Sequence, residues 1–331
     1  MTSEAAARPP LGVSVPLGGP LGTQRDRIGD LVSWGYTDLW SAEASGVDGF
    51  TPLALAAAWE PDLRLGTAII PVYTRGPATL AQSAAALAQA APGRFALGIG
   101  TSSDVIVERW NSVPFVEPYR RARDTLRFLR AALSGEKVTA AYDTFEVRGF
   151  RLTVGEPPDP PVPLLLAALR PQMLRLAARE ADGAIINWLS AADTVRVTGI
   201  VRDVAPDAEI VARLFVCPNP DRDSVRPSAK RMLAGYVSGA VYRAFQVWLG
   251  REAMLTPFWE RWDGGDRAGA LKQIPDELVD DIIVNGTPAA CRAQIARYVA
   301  NGVTTPVLHV LPFGDLDAHE GYRLLSPAAG D

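Results

Sequence analysis

Short apolar runs alternate with longer amphipathic stretches along most of the chain. Gly12-Val13-Ser14-Val15, Asp38-Leu39-Trp40-Ser41, Leu65 to Ile70 and Phe95-Ala96-Leu97-Gly98-Ile99-Gly100 read as strands. Runs of this length bounded by turn residues suit strands buried on both faces, as in parallel sheets. Helical periodicity occupies Thr23 to Trp34, Pro52 to Trp59 and Ala78 to Ala91, and returns from Pro118 to Leu133 after a long loop. Val138 to Leu152 then alternates like a small hairpin, and GEPPDPPVP follows as loop. The rhythm resumes with strands at Pro163 to Ala167, Gly183 to Asn187, Ile210 to Val216 and Val307 to Leu311. Helices are predicted at Pro171 to Ala181, Ala191 to Val204 and Pro288 to Asn301, and a long helical stretch runs from about Asp223 to Ile283.

Eight strands, nearly all followed by helices, predict an α/β protein, a (β/α)8 TIM barrel. A single domain over residues 1–331 is expected, with a hairpin insertion near 138–152 and a helical insertion near 223–283. A doubly wound sheet would want Gly-x-Gly-x-x-Gly after its first strand. Val15-Pro16-Leu17-Gly18-Gly19-Pro20-Leu21-Gly22 is glycine-rich, but its prolines and spacing do not fit that turn.

Charge and composition narrow the partners. With 33 basic and 37 acidic residues and no basic stripe, nucleic acid is not expected. Cys217 and Cys291 make neither a disulfide framework nor a zinc spacing, and His309 and His319 are the only histidines, so no metal site is predicted. MTSEAAARPP is short and polar with no long apolar segment after it. No signal peptide or membrane association is therefore expected, and a cytoplasmic location is.

In a barrel, chemistry belongs at the C-terminal strand ends. These offer Glu43 and Asp48 after the second strand, Thr67 to Arg75 around the third, and Thr101, Ser102, Ser103 and Asp104 after the fourth. They also offer Ala168, Leu169 and Arg170 after the fifth and Asn187 and Trp188 after the sixth. Plainer roles compete for several of them. Asp48-Gly49 is a good turn pair, Thr101 to Asp104 could cap a short helix, and His309 within the eighth strand suits a hydrogen-bonded core position. Ala167-Ala168-Leu169-Arg170-Pro171 resists a plain reading better. Pro171 suits a first helical position, and free N–H groups behind small side chains make a phosphate site.

Five segments in order carry a family resemblance: LGTAIIPVYTRGPATLAQ (Leu65 to Gln82), GRFALGIGTSS (Gly93 to Ser103), the Trp110–Pro114–Phe115–Pro118 spacing, PLLLAALRPQMLRLAAREADGAIINWL (Pro163 to Leu189) and GTPAACRAQIARYVANGVTTPVL (Gly286 to Leu308). Together they resemble the luciferase-like monooxygenase superfamily, and within it the coenzyme F420-dependent oxidoreductases. The resemblance implies hydride transfer between the deazaflavin and a small organic substrate. An FMN-dependent monooxygenase using reduced flavin and oxygen is the alternative, and a non-catalytic flavin-binding protein a lesser one. It also implies a non-prolyl cis peptide at Ala68-Ile69, in a bulge facing the cofactor ring.

Cofactor contacts carried over by the resemblance are Glu43, Ala68, Ile69, Ile70, Ser102, Ser103 and Ile106, with Ala168, Leu169 and Arg170 at the phosphate. Proton delivery would fall to Glu43, Asp48, Ser103 or Asp104. The glucose-6-phosphate branch has a His and a Glu where this chain has Ala44 and Ser103, so a sugar phosphate is not the expected substrate. Trp40, Tyr73, Trp110 and Trp188 are assigned to the mouth and imply an apolar or aromatic substrate. Aromatic residues of the 223–262 stretch could cap that mouth, or form a helical core or the interface of an expected homodimer.

Overall fold

The computed structural model describes residues 10–328; the N-terminal segment read above as polar lies largely outside them. Eight parallel strands close into a barrel: β1 (Gly12–Val15), β2 (Asp38–Ser41), β3 (Arg64–Thr67), β4 (Phe95–Gly100), β5 (Leu164–Ala167), β6 (Gly183–Asn187), β7 (Glu209–Cys217) and β8 (Thr305–Val310). Closure comes from β8 pairing β1, with Gly12 opposite Val307. Each strand matches its predicted run to within two residues, except the third. There the predicted Leu65 to Ile70 splits, because the chain bulges after Thr67 and pairs again only at Ile70–Pro71.

The barrel interior is filled in layers by alternate residues of each strand. Trp40, Ala96, Leu165, Ile185, Val211 and Val307 form one such layer. Trp40 fits because its neighbours on both sides are glycines: a Cβ on Gly66 would lie 2.3 Å from the indole, and one on Gly12 would lie 2.9 Å from it. Beneath this layer Arg64 binds both carboxylate oxygens of Glu209, at 2.6 and 2.7 Å, and sits over the Trp40 ring at 5.4 Å. Thr305 adds a hydrogen bond to Glu209, closing the N-terminal end of the barrel.

Val138–Ala141 and Glu146–Phe150 form the antiparallel hairpin. Five helices, from Arg222–Val237 to Asp276–Ile282, lie between β7 and the Pro288–Ala300 helix that precedes β8. Phe258 and Trp259 are buried among these helices with Leu233, Leu255 and Leu278, and Trp262 packs against them. That settles much of the aromatic content of this stretch as helical core. Among the described residues no helix is long and apolar enough to cross a membrane.

Candidate functional site

The layer above Trp40 faces the C-terminal mouth. Counting two residues on from each interior position gives Ser14, Ala42, Ala68, Gly98, Ala167, Asn187, Arg213 and His309. From β1 to β5 every one of these is small; from β6 to β8 every one is large and polar. The small side leaves a shelf.

The shelf is shaped by the bulge on β3. Between the pairs Gly66–Ala96 and Ile70–Ile99, the β3 side carries one more residue than the β4 side. Thr67 fills the interrupted ladder with its side chain. Its hydroxyl donates to the Gly98 carbonyl at 2.8 Å and accepts from the Gly98 N–H at 2.8 Å. On the other flank, Ala68 N–H donates to Ser41 at 2.6 Å and Glu43 N–H donates to the Ile69 carbonyl at 3.0 Å. The Ala68–Ile69 peptide is cis, as the resemblance implied. The Ile69 side chain then lies against Gly100, where a Cβ would come within 3.0 Å of both Ile69 and Ala167. A side chain there would press on both of them.

From this shelf a groove of about 990 Å³ runs outward past Thr101, Phe115, Ala167, Leu169, Arg170 and Trp248. It passes the start of the Pro171–Glu180 helix, whose N-terminus has no side-chain cap. Its first-turn N–H groups thus remain available to an anion. Arg170, Arg175 and Arg243 line the same groove. A planar ring on the shelf and an anionic tail along the groove fit these residues.

The candidate acids are committed elsewhere. Glu43 accepts from Arg75 at 2.8 Å and from the Gly49 N–H at 3.1 Å. Asp48 accepts from Phe50 and Thr51 N–H at 2.8 and 3.0 Å, starting the Thr51–Trp59 helix. Partial burial works to raise the Asp48 pKa, but the bonds from Thr51 and Phe50 and the Arg75 charge outweigh it and hold the carboxyl below its usual range. Asp48 is therefore a turn anchor rather than a proton donor. Ser103 accepts from Ile106 N–H at 3.4 Å, which is the capping role, at the head of a π-type turn over Val105–Trp110. Asp104 faces solvent opposite Arg109 and is corrected to a surface acid.

Burial corrects five further assignments. Ile70 has no exposed surface, so its side chain does not reach a ligand, and the Ala168 N–H is spent on the Ile185 carbonyl at 2.9 Å rather than left for a phosphate. Trp40 belongs to the barrel interior. Tyr73 donates its hydroxyl to the Val116 carbonyl at 2.5 Å and lies under Arg121, bracing the loop after β4. Trp188 is stacked between Phe215 and Tyr236, at centroid distances of 4.1 and 4.0 Å. Its carbonyl accepts from Gln246, which ties the insertion helices to the end of β6. By contrast Ala68, Ile69, Ser102, Ile106 and Leu169 are half-buried, Arg170 is exposed, and Trp110 stands 55% exposed on the rim.

The sequence reading named Asn187 and His309 at the strand ends but missed Arg213, which joins them into a polar wall. Arg213 donates from Nη2 to His309 Nδ1 at 3.2 Å, and its Nε has no partner. Because a guanidinium can only donate, His309 accepts at Nδ1 and carries its proton on Nε2. Burial and the Arg213 charge push the His309 pKa down to about 3, so the ring is neutral. Asn187 reaches the Tyr242 hydroxyl at 3.5 Å, and burial raises that phenol to about 12. Tyr242 in turn stands edge-on to Tyr236. The available signal was one arginine inside the apolar run Ile210 to Val216.

Known proteins share this architecture. Residues 17–305 match the family model described as luciferase-like monooxygenase. A Mycobacterium tuberculosis protein assigned to the coenzyme F420-dependent oxidoreductases, Rv3520c, is 29% identical over 308 residues, covering 83% of this chain and 86% of that one. An F420-dependent glucose-6-phosphate dehydrogenase of Intrasporangium calvum is 30% identical over 283 residues, 79% of each chain. The structure of the coenzyme F420-dependent tetrahydromethanopterin reductase from Methanopyrus kandleri superposes with a TM-score of 0.81 over 97% of this chain and 98% of that one, at 20% identity. The fold, the bulge on β3 and the sequence match over most of its length place this chain in the luciferase-like monooxygenase family.

Proposed function

We propose that the protein is a coenzyme F420-dependent oxidoreductase acting on a small organic substrate with an aromatic or apolar body. The observation that carries this reading is the shelf: a bulged β3 facing an arc of small residues, continuous with an anion-friendly groove. The F420-dependent relatives support it, since they match along most of this chain.

When bound, the deazaflavin supplies the hydride acceptor or donor, and the chain's own residues bind and orient. Ala68, Ile69 and Gly100 would hold the ring, and Arg170 with the N–H groups after Pro171 would hold the phosphate. Glu43 keeps the β2 loop closed on Arg75 and supports the bulge through its N–H. Tyr236 and Tyr242 offer the substrate an aromatic wall with hydroxyl donors. Ala44 and Ser103 stand where the glucose-6-phosphate branch carries its His and Glu, which supports a substrate other than a sugar phosphate.

Fluorescence titration with F420 and with FMN tests the reading. Micromolar or tighter F420 binding with weaker FMN binding is expected, together with bleaching or recovery of F420 absorbance on turnover. Tighter FMN binding with oxygen-dependent product would replace this reading with the monooxygenase one.

A further inference from the structure

The barrel mouth contains a cation that the fold does not use. Arg213 lies on an inward position of β7, one layer above Val211 and one below Phe215. Its Asn187 and Val307 neighbours across the two ladders are uncharged. Among the described residues no carboxylate lies within ion-pair distance of it. Its Nε is buried without a partner, and its one hydrogen bond goes to a neutral imidazole. Burial accordingly pushes its pKa below the ordinary guanidinium value, although an arginine stays charged. The Phe215 ring, at 5.1 Å, gives only a weak compensating contact. A half-buried charge whose Nε is shut away from solvent without a partner destabilises a fold unless something pairs it, and replacing it with an apolar residue can stabilise.

Topology says what should pair it. In a closed ring of eight strands, β7 is four strands from β3 in either direction. Arg213 thus lies on the opposite side of the barrel mouth from the bulge, on the same arc as Asn187, which reaches Tyr242 and through it Tyr236. Resting on the function proposed above, we infer that Arg213, held in place by His309, binds an anionic oxygen of the substrate, so that the preferred substrates are carboxylates or enolates with a flat unsaturated body. A planar fork suits a carboxylate bidentately, and the bond from Nη2 to His309 holds that fork in one orientation.

Calorimetry of the F420-loaded enzyme with benzoate, and with benzamide as its uncharged isostere, tests this inference. Benzoate should bind at least about tenfold tighter than benzamide. Arg213→Met should lose at least about 30-fold in benzoate affinity, keep F420 affinity within about twofold, and melt no lower than the parent. Arg213→Lys should recover part of the benzoate affinity. Equal binding of benzoate and benzamide would overturn the inference. So would retained benzoate binding in Arg213→Met, or a parallel loss of F420 binding, which would assign the charge to the cofactor. A parent enzyme that prefers benzoate but fails to bind F420 would instead remove the functional reading and leave the anion site standing.

Discussion

The two arcs of the barrel mouth are built on opposite rules. On the β1–β5 arc the mouth layer is Ser14, Ala42, Ala68, Gly98 and Ala167, and the polar groups nearby are spent within the protein: Thr67 on Gly98, and Glu43 on Arg75 and Gly49. On the β6–β8 arc the layer is Asn187, Arg213 and His309, and part of its hydrogen-bonding capacity is left unspent. The first arc is a surface made by removing side chains, suited to a large flat ring. The second is a surface made by placing side chains whose partners are missing, suited to a smaller polar molecule. A protein that needed only a stable barrel would fill the first and neutralise the second.

The sharpest way to break this contrast is to fill the shelf. Ala68→Trp should weaken F420 binding by about 100-fold or more, equivalent to ~2.7 kcal/mol, while the far-ultraviolet circular dichroism stays unchanged. Retained affinity would mean that the ring does not lie on this arc. Arg75→Met comes next and concerns stability first. It leaves the half-buried Glu43 without its ion pair, and a loss of about 1–3 kcal/mol in urea unfolding is expected. An unchanged midpoint would show that the β2 loop does not depend on that pair.

Asp48→Asn sharpens the same loop through pH. The native carboxyl titrates below its unfolded value, so its contribution is present above about pH 4 and is lost as pH falls through the lower folded value. The variant should therefore show a shallower loss of melting temperature between about pH 5 and pH 3, and an identical acid profile would remove Asp48 from the ledger. The smallest effect is expected from Tyr73→Phe. Loss of the bond to Val116 should cost about 1 kcal/mol of stability and leave substrate KM unchanged, because the ring braces a loop and does not line the mouth. A raised KM would return Tyr73 to the substrate site.

The first arc was more legible in the sequence than the second, and the reason is physical. The Ala-Ala-Leu-Arg-Pro turn is a contiguous pattern that pointed to Arg170, and the segment Leu65 to Gln82 that carries the family resemblance is contiguous too, so Ala68 and Ile69 could be placed through it. The second arc has no contiguous pattern. Arg213 and His309 are 96 residues apart in the chain and become partners only because β7 and β8 pair in one register. The acids misled for the converse reason. Glu43, Asp48 and Asp104 sit at strand ends as catalytic acids do, but nothing local says that Arg75 and the Phe50 and Thr51 N–H groups will consume two of them.

Aromatic residues were misjudged in the same way. Trp40, Tyr73 and Trp188 look like mouth residues by position along the strands. Their fate depends on what lies opposite: Gly12 and Gly66 open the interior to Trp40, Val116 takes the Tyr73 hydroxyl, and Phe215 and Tyr236 sandwich Trp188.

What the sequence determined alone is whatever depends on neighbours in the chain. Apolar runs, helical periods and punctuating Gly and Pro gave eight strands and their helices, because backbone propensity and burial act over a few residues, while the place of the bulge came from the family resemblance of Leu65 to Gln82. What the tertiary structure decided is which face each strand turns inward and which distant side chain meets it there. Moving one residue along a strand exchanges barrel interior for helix layer, so the register that places Arg213 inside, beside His309 and opposite Ala68, arises only when the ring of strands closes.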